Sequence, residues 1–436
     1  MAVTPFDSMV WRGLYGDAEI QALFTDSAEI RAMLLVEGAL ARAQGRLGLI
    51  PADAAEAISR AAELVLIDPA ELTAGAAAAG VPVPALVGAF RRAMAAPAHA
   101  AYVHHGATSQ DIVDTGLALR LRRALDIIGG RLRALTEALE TKAAAEAETA
   151  MAARTRSQIA TPTTFGARIA VWRAGLVRCE ARLAELRPRL LRVSLAGASG
   201  TLAAMGPKGP EVAAALAAEL KLGHDPVPWH AARDGVAELG GALTLITGAL
   251  GKIGLDLMLM TRSEIGEAAA GAPGGSSTMP QKQNPVAPET LVALARANAG
   301  IVGRLYEAQI HAEEREGAAW ALEWLTLPQI VVAAGAALRH AAALVATLEA
   351  RPGAMRRTMA ASGGLMLAEA ATFALSAYSP RPEAEALVKA ACARALAEGR
   401  PLGAVLAEES DAPIDWETAL DPMTYLGAAP RIARGG

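Results

Sequence analysis

Five stretches of this chain, residues 111–148, 163–191, 235–268, 285–316 and 322–349, repeat apolar side chains at three- and four-residue spacing. As helices they would span roughly 40–55 Å at 1.5 Å per residue, well beyond the usual globular helix. Helices of that length bury their apolar surface best side by side. The pattern therefore predicts an all-α protein built on a central five-helix bundle. Composition agrees: the chain is 53% hydrophobic but only 4% aromatic, so Ala and Leu carry its apolar content. Both are strong helix formers, and small alanines let long helices pack closely. Shorter helical patterns occupy 27–48 and 51–66, ahead of a loop at Gly80-Val81-Pro82-Val83-Pro84. After Arg351-Pro352-Gly353 come further short helices, with turn signals at Ser379-Pro380-Arg381-Pro382 and Asp421-Pro422. Three helical domains are expected, at 1–110, 111–353 and 354–436.

One helix decides how the bundle must be completed. Leu243, Leu245, Ile246, Leu250, Ile253, Leu255, Leu257 and Leu259 nearly encircle their axis. A helix apolar all round needs partners all round, and a lone five-helix bundle would leave such faces wet. Chains are expected to associate through these helices as an obligate oligomer. The window 240–260 carries Lys252 and Asp256, which lipid tolerates badly, so it reads as a buried bundle helix and not a membrane span. A net charge of -4 without a basic stripe argues against nucleic acid and membrane partners. The first residues, MAVTPFDSMVWRG, lack a basic run followed by an apolar one, which points to a cytoplasmic protein. Cys179 and Cys392 sit in Ala-rich helical patterns as small hydrophobes, too few for a disulfide scaffold or a CxxC metal site.

Between two of the long helices lies GAPGGSSTMPQKQNP, residues 271–285. Gly274 and Gly275 give a mobile connection, Ser276, Ser277 and Thr278 supply hydroxyls and free N–H groups, Lys282 a cation and Asn284 an amide. Pro285 suits the first turn of the following helix. Such a loop can surround an oxyanion with donors; on composition alone it is equally an ordinary interhelical connection.

The order of residues adds more. Gly275-Ser276-Ser277-Thr278-Met279-Pro280-Gln281-Lys282-Gln283-Asn284-Pro285 resembles the GSSxMPxKxNP signature of the fumarase/aspartase superfamily. His104-His105-Gly106-Ala107-Thr108-Ser109-Gln110-Asp111-Ile112-Val113-Asp114-Thr115 is similar to a second signature of that superfamily. Residues 154–166, RTRSQIATPTTFG, resemble a third. Taken alone, the segment at 104 reads also as a plain helix start with Thr108 or Ser109 as N-cap, and the one at 154 as a Thr-rich helix start. The resemblance spans most of the chain. It implies a homotetramer with a twenty-helix core, and active sites where the three segments meet from three different subunits.

Members of the superfamily add or remove a group across a carbon–carbon bond next to a carboxylate. By the resemblance, Ser276 is the catalytic proton carrier, with Lys282 and the loop N–H groups stabilising its alkoxide. Members that expel water, ammonia or an amine keep a histidine where this chain has Arg156, since those leaving groups benefit from a proton donor. A carboxylate leaving group, with a conjugate acid near pKa 4, needs no such help. Ile159 likewise replaces a second histidine found in many adenylosuccinate lyases. Arginine at 156 fits the branch that cycloisomerises a carboxymuconate to its lactone, holding a carboxylate bidentately. The segment Glu314-Arg315-Glu316-Gly317-Ala318-Ala319-Trp320-Ala321-Leu322-Glu323-Trp324 resembles that branch too. The competing expectations are an adenylosuccinate lyase, a sulfomuconate cycloisomerase and a non-catalytic homologue.

The resemblance implies a small polycarboxylate as substrate, bound by His104, Thr108, Ser109, Arg156, Gln158, Thr161, Ser277, Met279, Asn284 and Arg315. His105 is a weaker candidate, and Trp320 and Trp324 read equally as core aromatics. No metal-ligand cluster is visible, and the implied chemistry needs no cofactor.

Overall fold

The computed structural model describes residues 4–94, 96–271, 274–275, 278–279 and 281–435. Near the amino end, α1 (Asp26–Arg46) is opened by Thr25, whose hydroxyl accepts from Ala28 N at 3.2 Å. Asp26 and Glu29 stand in its first turn, where carboxylates oppose the helix dipole. It meets α2 (Ala52–Leu64) at Gly38, where a Cβ would stand 2.8 Å from Ala62 Cβ. Glycine there lets the two helices close. Met33, Leu34, Leu40, Ile58, Leu86 and Phe90 form the buried core around them.

The long helices are α3 (Ser109–Ala145), α4 (Phe165–Leu190), α5 (Asp234–Met260), α6 (Val286–Ile301) and α7 (Gly317–Ala346). With 67% of the chain helical and few strands, the fold is all-α, as the periodicity indicates. By its contacts the chain divides into two compact units. The first comprises Met1–Leu132, Arg178–Gly248 and Ala293–Arg339; the second comprises Arg133–Val177, Ala249–Val292 and His340–Gly436.

Besides α7, which runs over Gly317–Ala346 where 322–349 is expected, three features differ most from the sequence reading. The helix expected over 285–316 ends at Ile301, continues only as Gly303–Glu307, and leaves 308–316 outside helix. Gly300 and Gly303 weaken it, and Glu313 adopts φ 55°, which no α-helix accepts. The helix expected to reach 268 stops at Met260, because Gly266 turns the chain at φ 59° and Ala268–Ala269 (β3) pairs with Glu349–Ala350 (β4). The third difference is a hairpin, β1 (Ala150–Thr155) with β2 (Gln158–Thr164), ahead of α4. Helix begins only at Phe165, where the Thr164 hydroxyl accepts from Ala167 N at 3.1 Å as an N-cap. The Thr-rich run takes strand because β-branched residues fit it better.

On α5, Leu243, Ile246, Leu250, Ile253 and Leu257 are fully buried, while Leu245, Leu255 and Leu259 are exposed. By length and composition alone, α5 and α7 are apolar enough to cross a membrane. The charges on α5 are accommodated by polar partners: Asp256 accepts from Trp172 Nε1 at 2.7 Å and pairs with Lys252. Cys179 is buried and Cys392 half-buried, and burial pushes both thiols above their ordinary range.

Candidate functional site

The segment at 104–115 enters α3 through a side-chain cap. Asp111 Oδ2 accepts from Thr108 N at 2.9 Å, three residues back, fixing the backbone that carries Thr108 and Ser109. The same fully buried carboxylate accepts from Ala196 N (2.9 Å), Gly197 N (3.0 Å) and His230 Nε2 (2.8 Å). Asp111 thus ties the helix start to the 194–198 loop. Next to it His104 holds φ 65° and meets Glu37 through Nδ1 at 2.7 Å. His105 contributes its carbonyl, which accepts from Gln44 Nε2 at 2.7 Å.

Burial opposes a charged His104, but the hydrogen bond and charge of Glu37, with Asp111 adding, raise its pKa above the ordinary imidazole value. Glu37 is buried, and its second oxygen has no hydrogen-bond partner among the described residues. Because the folded pKa is the higher, the pair contributes stability fully below about pH 6.5. That contribution is lost as pH rises through the raised value. Thermal melts from pH 6 to 9 should show this loss, and Glu37→Gln should flatten it. A slope identical in both proteins would refute the coupling.

Arg315, expected to touch an anion, lies in the non-helical stretch before α7. Its Nε donates to Gln110 Oε1 at 2.8 Å and its Nη2 to the Ala198 carbonyl at 3.1 Å. The structure therefore brings His104, Thr108, Ser109 and Arg315 around one helix start, all within the first unit.

Arg156 and Ser157 form the two-residue turn of the hairpin, at φ 50° and 68°. Left-handed backbone at both positions is the geometry that matches strand twist in a two-residue hairpin. It leaves Arg156 and Gln158 exposed. Strand pairing shifts register between Ala152 and Arg154, opposite the stretch of β2 that holds Thr161. The hairpin is anchored by Arg154, whose guanidinium grips the fully buried Glu267 through two hydrogen bonds of 2.8 Å.

The 271–285 loop is pinched at its base. Gly274 and Asn284 exchange both backbone hydrogen bonds at 3.0 Å, and Asn284 Nδ2 donates to Gly275 O at 3.4 Å. A Cβ at Gly274 would stand 2.5 Å from Val286 Cγ2, so only glycine makes this contact. Met279 and Lys282 are exposed beyond the pinch, and Met279 O accepts from Lys282 N at 3.0 Å. Ser276 and Ser277 lie outside the described residues. Hairpin and loop both belong to the second unit.

Sequence reasoning assigns no role to a buried ionic cluster beside the first segment. Arg233 is gripped by Asp114 (2.7 and 3.1 Å) and by Glu323 (2.8 and 2.6 Å), all three within the core. Burial works against the Arg233 charge, but the two carboxylates outweigh it and raise its pKa; burial also raises the Glu323 carboxyl. Trp320 is a core aromatic whose Nε1 donates to Asp114 at 3.2 Å, and Trp324 packs edge-on against it, partly exposed. The one signal in the sequence is Glu323 inside an otherwise apolar run, since a lone charge there demands a buried partner. Among the described residues, no group of three or more His, Cys, Asp or Glu is placed to hold a metal.

Known proteins resemble the chain in sequence and fold. A family model described as Lyase matches residues 16–300. The 3-carboxy-cis,cis-muconate cycloisomerase of Pseudomonas aeruginosa is 43% identical, covering 94% of this chain and 92% of its own. That of Pseudomonas putida is 41% identical over 89% of this chain and 94% of its own. A crystal structure of the 3-carboxy-cis,cis-muconate lactonizing enzyme from Pseudomonas putida superposes with a TM-score of 0.92 at 38% identity, covering 98% and 97% of the two chains. With three signature segments in order and this likeness along nearly its whole length, the chain belongs to the lyase family of the fumarase/aspartase superfamily.

Proposed function

We propose that the enzyme interconverts 3-carboxy-cis,cis-muconate and 4-carboxymuconolactone, a step of aromatic-acid breakdown. In the lactonising direction a terminal carboxylate oxygen attacks the double-bond carbon that bears the 3-carboxyl group, forming the ring C–O bond. The π pair moves to the neighbouring carbon and is held as an enolate by that carbon's own carboxylate. Ser276 delivers its proton there, and the resulting alkoxide is stabilised by loop N–H groups and Lys282 before solvent restores the hydroxyl.

The observation that carries this reading is the guanidinium at position 156, held on the hairpin turn where other members keep an imidazole. Ring opening expels a carboxylate, which departs without a proton donor but gains from a bidentate cation. His104, Thr108, Ser109, Gln158, Thr161, Ser277, Met279, Asn284 and Arg315 complete the set that binds the three carboxylates.

The reading includes a cytoplasmic homotetramer with sites shared between three subunits, and the division at 1–110, 111–353 and 354–436. Exposed Leu245, Leu255 and Leu259 on α5, with Leu325 on α7, support association, because the second apolar side of α5 stays wet in one chain.

A spectrophotometric assay tests the activity, since lactonisation removes a conjugated diene. Rapid loss of diene absorbance is expected with 3-carboxy-cis,cis-muconate and no change with adenylosuccinate. A sulfonated muconate turned over with the higher kcat/KM would reassign the substrate, and turnover of adenylosuccinate alone would overturn the reading.

A further inference from the structure

We infer that Gln110, fully buried at the second residue of α3, is a positioning residue that sets the orientation of Arg315 for a substrate carboxylate. The inference rests on the reading of Arg315 as a substrate contact. Gln110 has one orientation open to it. Its Nε2 faces two acceptors, the His230 carbonyl at 2.9 Å and Asp114 Oδ2 at 3.2 Å. An amide turned the other way would set oxygen against oxygen at both. Its Oε1 is therefore held toward Arg315 Nε, 2.8 Å away.

Both acceptors are themselves fixed. Asp114 is held by Arg233 and Trp320, and the His230 ring by Asp111. The Arg315 guanidinium is thus braced along its Nε edge by Gln110 and at Nη2 by the Ala198 carbonyl. Its Nη1 has no hydrogen bond among the described residues. A planar guanidinium steadied on one edge presents the remaining N–H groups to an incoming carboxylate with little rotamer entropy left to lose. The stretch that carries Arg315 is outside helix and includes Glu313 in left-handed backbone, so side-chain braces must supply the orientation that regular structure does not.

The test is a double-mutant cycle read through KM and kcat with 3-carboxy-cis,cis-muconate. Gln110→Met keeps volume and removes the brace. It is expected to raise KM about tenfold, the scale of a lost hydrogen bond to a charged group, with kcat within about threefold. In an Arg315→Lys background the same substitution is expected to change KM less than twofold, because no braced guanidinium remains to be lost. Gln110→Glu keeps an oxygen facing Arg315 Nε and is expected to keep KM within about threefold of the unsubstituted enzyme. It serves as the folded comparison if methionine destabilises the core. A KM unmoved by Gln110→Met, raised equally in both backgrounds, or raised as much by glutamate would overturn the inference. Failure of the proposed activity looks different: the unsubstituted enzyme would not turn over the substrate.

Discussion

Ser276→Ala is expected to lower kcat for 3-carboxy-cis,cis-muconate by about 10²–10⁴-fold, the range of a positioned proton carrier in a transition state. Attack of the carboxylate on the double bond builds charge on the alpha carbon, and without a proton delivered there the adduct reopens. Alanine removes one oxygen from a connection bridged at its base by Gly274 and Asn284. Melting temperature and sedimentation should therefore match the unsubstituted enzyme. Diene loss in single-turnover mixing is the measurement, and a rate within tenfold of the original would remove Ser276 from its role. Lys282→Met should fall between the two, because the alkoxide then keeps only its N–H donors.

Arg233→Met is expected to be the most damaging single change to stability. It leaves Asp114 and Glu323 buried and facing each other without the cation that both grip. Removing one member of a buried ionic cluster costs about 3–5 kcal/mol, because the remaining charge is uncompensated. The melting temperature should drop by roughly 3–6 °C for a chain of this size. Adding Asp114→Asn and Glu323→Gln to Arg233→Met should restore much of the loss, since neutral amides need no counter-ion. Calorimetric melts of the single and triple variants decide this. Equal melting temperatures for the two would mean that the clamp acts through shape and not charge.

The long helices are legible in the sequence because an apolar period of three to four, sustained over many turns, fits little besides a helix. Their ends are not: Gly303 and Gly266 interrupt patterns whose apolar spacing carries on past them. The Thr-rich run at 154–166 suits a helix start as well as a strand, since threonine serves both as N-cap and as strand residue. Only pairing with 150–155, a tertiary fact, settles which role it takes. At the site, the residues proposed to act in the chemistry stand out through motif order. Those that hold them in place do not, because Asp111, His230, Arg233 and Glu323 lie far apart in sequence and gain meaning only as neighbours. Arg315 stands out in the sequence as a candidate anion contact; Gln110, its hydrogen-bond partner, looks like a variable letter within the signature.

The turn at Arg156-Ser157 limits how this enzyme can be hardened. Both residues hold backbone that Asn-Gly adopts at lower cost, so that exchange offers a gain of about 1 kcal/mol. The same exchange would delete the guanidinium that we propose selects a carboxylate leaving group. Thermostability campaigns guided by turn statistics would select it readily, and screens that read melting alone would record as an improvement a protein that, on the role proposed for Arg156, has lost its reaction.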